Sequence, residues 1–327
     1  MKHTTKFNSI VAMAAAAAMA VSMQSTAQQW PDKAVRVIVP YSPGGGTDIQ
    51  ARLLAKAFQA SMGQNFLVDN RTGASGIIGI QIGVNSPPDG STIMFVSGSI
   101  SVVATLLAKQ MKFDVYEDLQ PVSWISSTPL VLSVHPSVPA KSPMDLVALA
   151  KRSGGTMMNA GGNSTGTTAH LAAEMFNQRF GVKSTILFYR GGGPAVIALI
   201  SGELDYIFAT APSIMPHLRT GRARALAVTT PQRSSALPDL PTMTSMYPGF
   251  LAENWYAMFF PAGTPSAIVN KLNTEIGKAL KGQDIKKFYE REALEPIASS
   301  PAELTKKLKD DIEKYAKVIK AGNIRVQ

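Results

Sequence analysis

Val35-Arg-Val-Ile-Val39 is an apolar run of strand length that enters Pro40-Tyr-Ser-Pro-Gly-Gly-Gly-Thr-Asp48, and helical text from Ile49 to Phe58 follows at once. A buried strand, a glycine turn and an amphipathic helix in that order predict a crossover unit, in which the helix packs back on a sheet. The same turn aims the backbone N–H groups of Gly44 to Asp48 at one point, where the helix dipole favours negative charge.

The alternation continues down the chain. Strands are expected at 34–39, 66–68, 92–96, 131–134, 156–159, 184–188, 206–209 and 223–228. Helical periods fall between them at 48–62, 76–85, 101–108, 143–152, 167–181, 193–202 and 215–220. This predicts an α/β fold on a parallel sheet. From Pro265 the text turns helical to the end, with 266–281 and 301–321 each opening beside a proline.

About 300 residues exceed the usual size of one core, so two domains are expected. Crossings between them are placed near 126–130, where Pro129 interrupts the apolar text, and near 247–255, after Leu237-Pro-Asp-Leu-Pro-Thr242. The expected division is 28–128 plus 250–327 for one lobe and 129–249 for the other.

Residues 1–27 have the layout of an export signal. Lys2 and Lys6 precede an apolar run from Ile10 to Val21, too short to span a bilayer, and Ser25-Thr26-Ala27 places cleavage after Ala27. Export to the periplasm is therefore expected. The leader carries two lysines and no acid, so the net charge falls from +10 to +8 on its removal. The excess is spread along the chain, with no basic tract and no nucleic-acid-binding pattern. The sequence has no cysteine, which removes disulfides and lipid-anchored thiols from consideration.

Four glycine-rich segments stand at strand-to-helix junctions: Pro43-Gly-Gly-Gly-Thr-Asp48, Asn70-Arg-Thr-Gly-Ala-Ser-Gly76, Gly161-Gly-Asn-Ser-Thr-Gly-Thr-Thr168 and Tyr189-Arg-Gly-Gly-Gly-Pro194. Each offers backbone donors to a carboxylate or phosphate, and its hydroxyl or amide residues add side-chain donors or caps. Four in equivalent places point to one crevice at the carboxyl ends of the strands. None ends in Gly-Lys-[Ser/Thr] or has the dinucleotide spacing, so no phosphate-bearing cofactor is expected.

Gly162-Asn-Ser-Thr-Gly166 also matches the nucleophile-elbow pattern, with Asp205 and His217 following in hydrolase order. Two readings stand: Ser164 as a nucleophile, or Asn163, Ser164, Thr165 and Thr167 as hydrogen-bond donors to an anion. His170, one turn into the following helix, either faces the crevice or fixes the loop. No histidine spacing suggests a metal site. Asp48 is read as a helix-terminal residue and Asp205 as a possible holder of crevice waters or a ligand amine. Arg71 and Arg190 sit in loops where they could pair an acidic ligand, while Tyr41, Tyr189, Trp124, Trp255 and Tyr256 offer ring surfaces.

Taken together, Tyr41 to Asp48, Asn70 to Gly76, Pro88-Asp-Gly-Ser-Thr92, Gly166-Thr-Thr-Ala-His-Leu171, Tyr189 to Ala195, Arg224-Ala-Leu-Ala-Val-Thr229, Leu237 to Thr242 and Pro261-Ala-Gly-Thr-Pro265 resemble the Bug family of extracytoplasmic solute receptors, the binding proteins of tripartite tricarboxylate transporters. The chain departs from the family pattern at Thr72, where proline is common. The resemblance implies a two-lobed periplasmic-binding-protein fold of the Venus-flytrap type, with two crossover strands, that closes on a small carboxylate without covalent chemistry or cofactor. It implies that Tyr41, Ser42, Pro43, Gly44, Gly45, Gly46 and Asp48 hold a carboxylate in the first lobe, with Ser97 and Ser99 at the crevice. It further implies that Asn163 to Thr168, with His170, and Tyr189, Arg190, Gly191 and Gly192 complete the enclosure, with Asp205 nearby. Membrane permease subunits or a sensor kinase are the implied partners of a monomer. A serine hydrolase and a ligand sensor are the alternatives.

Overall fold

In the computed structural model, which describes residues 30–152, 159–250 and 252–321, the chain folds around a ten-stranded sheet. The export leader lies outside the described residues. The chain begins β1 (Val35–Val39), α1 (Gly46–Met62), β2 (Phe66–Asn70), α2 (Ile77–Val84), β3 (Thr92–Ser97) and α3 (Ser99–Leu106). β1 pairs in parallel with both β2 and β3. A second unit has the same plan: β5 (Asn159–Gly162), α5 (Thr168–Phe180), β6 (Thr185–Phe188), α6 (Gly192–Ile200) and β7 (Tyr206–Thr210), preceded by α4 (Pro143–Arg152). β5 pairs in parallel with β6 and β7.

Two strands correct the all-parallel expectation. β4 (Leu119–Val134) and β9 (Glu253–Pro261) run antiparallel to their neighbours and to each other. Residues 119–129 of β4 pair with β9, while 130–134 pair with β7 and with β8 (Arg224–Val228), so one 16-residue strand belongs to both units. α7 (Ala211–Arg219) and α8 (Met243–Met246) flank β8. At the crossing, Thr128 and Pro129 lie opposite Asn254 and Glu253. The Thr229 hydroxyl ties the two segments by donating to Ala252 O at 2.8 Å and accepting from Leu130 N at 3.0 Å.

The first half of β4 escapes a periodicity reading because Pro121, Ser123, Ser126, Ser127 and Thr128 break its apolar text. The strand tolerates most of them because three hydroxyls are satisfied inside the fold, Ser123 Oγ donating to Ser299 O at 2.9 Å, Ser126 Oγ to Gln50 Oε1 at 2.7 Å and Thr128 Oγ1 to Ala293 O at 3.1 Å, while Ser127 Oγ is buried without a partner. The expected strand at 156–159 falls mostly outside the described residues, and the described strand begins at Asn159.

After β9 the chain adds α9 (Ser266–Lys281), α10 (Gln283–Arg291), a short β10 (Glu295–Pro296) on β4, and α11 (Pro301–Ala321). The period-two alternation of strand side chains separates the cores. Ile93, Phe95, Met258 and Phe260 pack on one face of the first unit, and Met94, Val96, Ala257 and Phe259 on the other. In the second unit Leu130, Leu132 and Phe208 oppose Val131, Ile207 and Ala209. A small cluster of Val102 from α3, Leu171 from α5 and Tyr315 from α11 joins the two units.

Candidate functional site

Parallel strands leave their carboxyl ends, and the helix N-termini that follow, on one edge of each unit. Here those edges face each other. Gly45 is the N-cap of α1, Thr167 of α5, Gly191 of α6 and Thr210 of α7, and α3 starts at Ser99. All five starts line one cavity of about 30 Å³. Each helix end carries roughly half an elementary charge, so five amount to roughly two and a half positive charges at one place. No Asp, Glu, His, Lys or Arg lines the cavity. Its polarity comes from hydroxyls, amides, phenols and the main chain.

The first loop is held by a carboxylate that faces away from the cavity. Asp48 Oδ2 accepts from Gly44 N at 3.0 Å, and Oδ1 accepts from Arg52 Nε and Asn70 Nδ2, each at 3.0 Å. Asn70 also donates to Tyr41 O at 2.9 Å, which ties the loop to the end of β2. Gly44 takes a left-handed φ of 78° at the sharp bend. Gly46 is required by packing, since a Cβ there would stand 2.2 Å from Tyr256 Oη and 2.7 Å from Thr210 Oγ1.

The third loop is fixed by His170. Its Nδ1 accepts from Gly166 N at 3.1 Å, which places the ring proton on Nε2, 3.6 Å from Glu174 Oε1. Thr167 Oγ1 accepts from His170 N and donates to Ser164 O, capping α5. Ser164 Oγ reaches two carbonyls, Asn163 O at 2.6 Å and Tyr189 O at 3.0 Å, joining the third loop to the fourth. His217 and Asp205 are not among its partners. His217 lines a different groove, its pKa lowered by burial and by the Arg222 charge. Asp205 precedes β7 at the end opposite Thr210, about 16 Å away along a strand at ~3.3 Å per residue. The three hydrolase candidates are therefore not assembled.

The two units meet across the glycine loops. Ser42 Oγ donates to Arg190 O at 2.6 Å and Thr168 N to Ser99 Oγ at 3.3 Å. Gly193 lies so close to the first loop that a Cβ would come within 2.4 Å of Pro43 O. Burial pushes the Tyr41 phenol up to about 12, so it stays protonated and takes a hydrogen bond from Ser97 Oγ at 3.2 Å.

Of the residues singled out in the sequence, the cavity brings together Tyr41, Gly45, Gly46, Ser97, Ser99, Asn163, Ser164, Thr167, Gly191 and Gly192. Pro43, Gly44 and Tyr189 line an adjoining outer groove of about 530 Å³. In that groove Tyr189 Oη donates to Glu203 at 2.6 Å, and burial first, then Glu203, raises the phenol to about 12. Ser42 and Arg190 form the latch between the units. Asp48 and His170 brace the loops, and Thr165 and Asp205 line neither space. Thr168, from the expected enclosing segment, and Tyr256, read only as a ring surface, also line the cavity, and Thr47, Thr210 and Asn254 join its wall without having been singled out as binding residues. Thr210 carried a readable signal, since it ends a parallel strand. Asn254 and Tyr256 did not, because they sit on an antiparallel crossover strand.

Among the described residues no group of three His, Asp or Glu is placed to hold a metal ion, and no helix is long and apolar enough to cross a membrane. The sequence pattern described as tripartite tricarboxylate transporter family receptor matches residues 50–324. Protein BugT of Bordetella pertussis is 34% identical, over 92% of this chain and 93% of its own. Rpa4515 of R. palustris, solved with adipate, superposes with a TM-score of 0.87 at 33% identity, covering 90% of this chain and 99% of that one. MatC from Rhodopseudomonas palustris, solved with bound malate, superposes with a TM-score of 0.83 at 26% identity, covering 89% of this chain and all of that one.

Proposed function

The chain belongs to the tripartite tricarboxylate transporter receptor family, in its Bug branch, and from that premise we propose that it captures a small aliphatic dicarboxylate between its two lobes in the periplasm. It is a receptor, not an enzyme. The observation that carries the carboxylate reading is the convergence of five helix N-termini on a cavity with no charged side chain. Such a site attracts an anion through main-chain N–H groups and dipoles, and offers a cation nothing. Two structural relatives were solved with adipate and with malate, which supports diacids ahead of amino acids or aromatic acids.

In this reading Tyr41, Gly45 and Gly46 of the first lobe grip one carboxylate with Ser97 and Ser99. Asn163, Ser164, Thr167, Gly191 and Gly192 close over it from the second. Residues 28–128 with 250–327, and 129–249, are the two bodies that move. A cavity of about 30 Å³ has room for about one water, so the lobes part to admit a diacid and settle around it. Ligand favours the closed form by its difference in affinity for the two forms. That form, a monomer freed of residues 1–27, delivers its cargo to membrane permease subunits.

A thermal-shift series with acetate, succinate, malate, adipate and benzoate tests this. At 100 times the dissociation constant a diacid adds about 2.7 kcal/mol of stability, which raises Tm by roughly 5 °C or more for a chain of this size. An unchanged Tm with every acid sinks the proposal.

A further inference from the structure

Gln50 is fully buried in α1, between the cavity and the crossover strand β4. Its Oε1 accepts two hydroxyl protons, from Ser126 Oγ at 2.7 Å and from Tyr289 Oη at 2.9 Å. Gln50 Oε1 is the one acceptor that stands in hydrogen-bond geometry to each hydroxyl among the described residues. Both protons therefore go to Gln50, and this fixes the amide with Nε2 on the opposite side.

Gly46 lies one helical turn before Gln50 on the same face of α1, and the hydroxyl of Tyr256, fully buried and on the cavity wall, stands against Gly46. Gln50 Nε2 and Tyr256 Oη are both buried without a partner in hydrogen-bond geometry. The turn of α1 that separates Gly46 from Gln50 brings the amide beside the phenol, and Gln50, like Thr210 and Asn254, opposes the rise that burial imposes on the phenol's pKa. Neither of the other nearby oxygens stands in hydrogen-bond geometry with the phenol: Thr210 Oγ1 pairs with Ser213 Oγ at 2.8 Å, and Asn254 Oδ1 with Thr168 Oγ1 at 3.3 Å.

Building on the carboxylate reading, we infer that Gln50 is a positioning residue. It presents Nε2 to Tyr256 Oη, so the phenol accepts from Gln50 and its own proton is left to donate to the ligand carboxylate. Tyr256 is then the side-chain donor that supplements the helix N-termini. Its orientation is set from the crossover strand through Ser126, and from α10 through Tyr289.

Calorimetric titration with adipate of the full mature chain and three variants tests this. Tyr256→Phe keeps the ring and removes the donor, weakening adipate binding by roughly ten- to a hundred-fold, as expected for a hydrogen bond to a charged group. Gln50→Met keeps the volume and removes the Nε2 contact, weakening binding by roughly three- to tenfold. In the Tyr256→Phe background the same change has less than a twofold effect, because there is no phenol left to position. A merely structural Gln50 would produce independent effects that multiply in the double variant, and that result overturns the inference. So does a Tyr256→Phe protein that binds adipate as tightly as the parent. If the parent binds no diacid, the dicarboxylate reading fails separately. The Gln50–Tyr256 contact is still tested by the same double-mutant cycle on ligand-free Tm, where strict additivity rejects it.

Discussion

The close approach of Gly193 to the first glycine loop makes Gly193→Ala a sharp perturbation of closure. A Cβ at position 193 would stand 2.4 Å from Pro43 O, 3.1 Å from Gly44 C and 3.3 Å from Gly45 N. All three atoms are main chain of the opposite lobe, so no side chain can swing aside. The first distance is about 1 Å short of ordinary contact, and the loops must separate locally to relieve it. Separation also stretches the 2.6 Å hydrogen bond from Ser42 Oγ to Arg190 O. Overpacking of this kind costs about 1–3 kcal/mol, levied on the closed form alone, so the Kd for a diacid rises by roughly five- to 150-fold. The open protein meets no clash, and alanine in the first turn of α6 is a better helix residue than glycine. Affinity falls while ligand-free Tm holds or rises. Titration calorimetry and differential scanning calorimetry measure the two separately. Gly277→Ala, in α9 with nothing within 4 Å of its Cβ, is the control that raises Tm and leaves Kd alone. A Gly193→Ala protein with parental affinity would show that the loops never approach this closely around a ligand.

Because the cavity wall has no titratable group except phenols held protonated by burial, with Tyr41 pushed up to about 12, the Kd for adipate stays flat between pH 7 and 9. A step in that range, followed by calorimetry, would show that a titrating group reaches the ligand. Trp255 Nε1 donates to buried Asp311 Oδ2 at 2.6 Å, and Asp311→Ala strands that indole N–H, costing about 2–4 kcal/mol and lowering Tm by roughly 5–10 °C. A drop under 2 °C would mean that water replaces the carboxylate. Hydrogen bonds from Ser91 and Lys33 hold the Asp89 carboxyl down at about 2. A depressed pKa stabilises the fold above the unfolded value near 4 and is lost as pH falls through about 2. Urea midpoints of Asp89→Asn and parent, a few tenths of a kcal/mol apart at pH 6, should converge below pH 4.

The alternation of strand and helix was legible because the runs at Val35–Val39, Thr92–Ser97, Tyr206–Thr210 and the last three residues of Arg224–Val228 are buried where their own text is apolar, while the edge strands leave Leu67 and Phe188 exposed. The glycine loops were legible because a chain turning from strand to helix beside a second main chain needs residues without Cβ, as Gly46 and Gly193 demonstrate. What stayed hidden depended on long-range satisfaction. Ser126 reads as loop chemistry until Gln50, 76 positions away, accepts its proton. Tyr256 reads as a core ring, since nothing in its neighbourhood says that an antiparallel strand will carry its hydroxyl to Gly46. Asp48 and His170 were readable as local chemistry, one satisfying an N–H and the other fixing a loop. Asp205 was drawn toward the crevice by adjacency to β7, and the direction of that strand places it at the far end.

An anion grip made of main-chain donors has a consequence for how such a receptor diversifies. No exchange of side chains, short of proline, deletes a backbone N–H, so the handle that holds a carboxylate persists through wide sequence drift. Selection can then rework the hydroxyls, amides and phenols around it and change which molecule is carried, generation after generation, without rebuilding the means of carrying it.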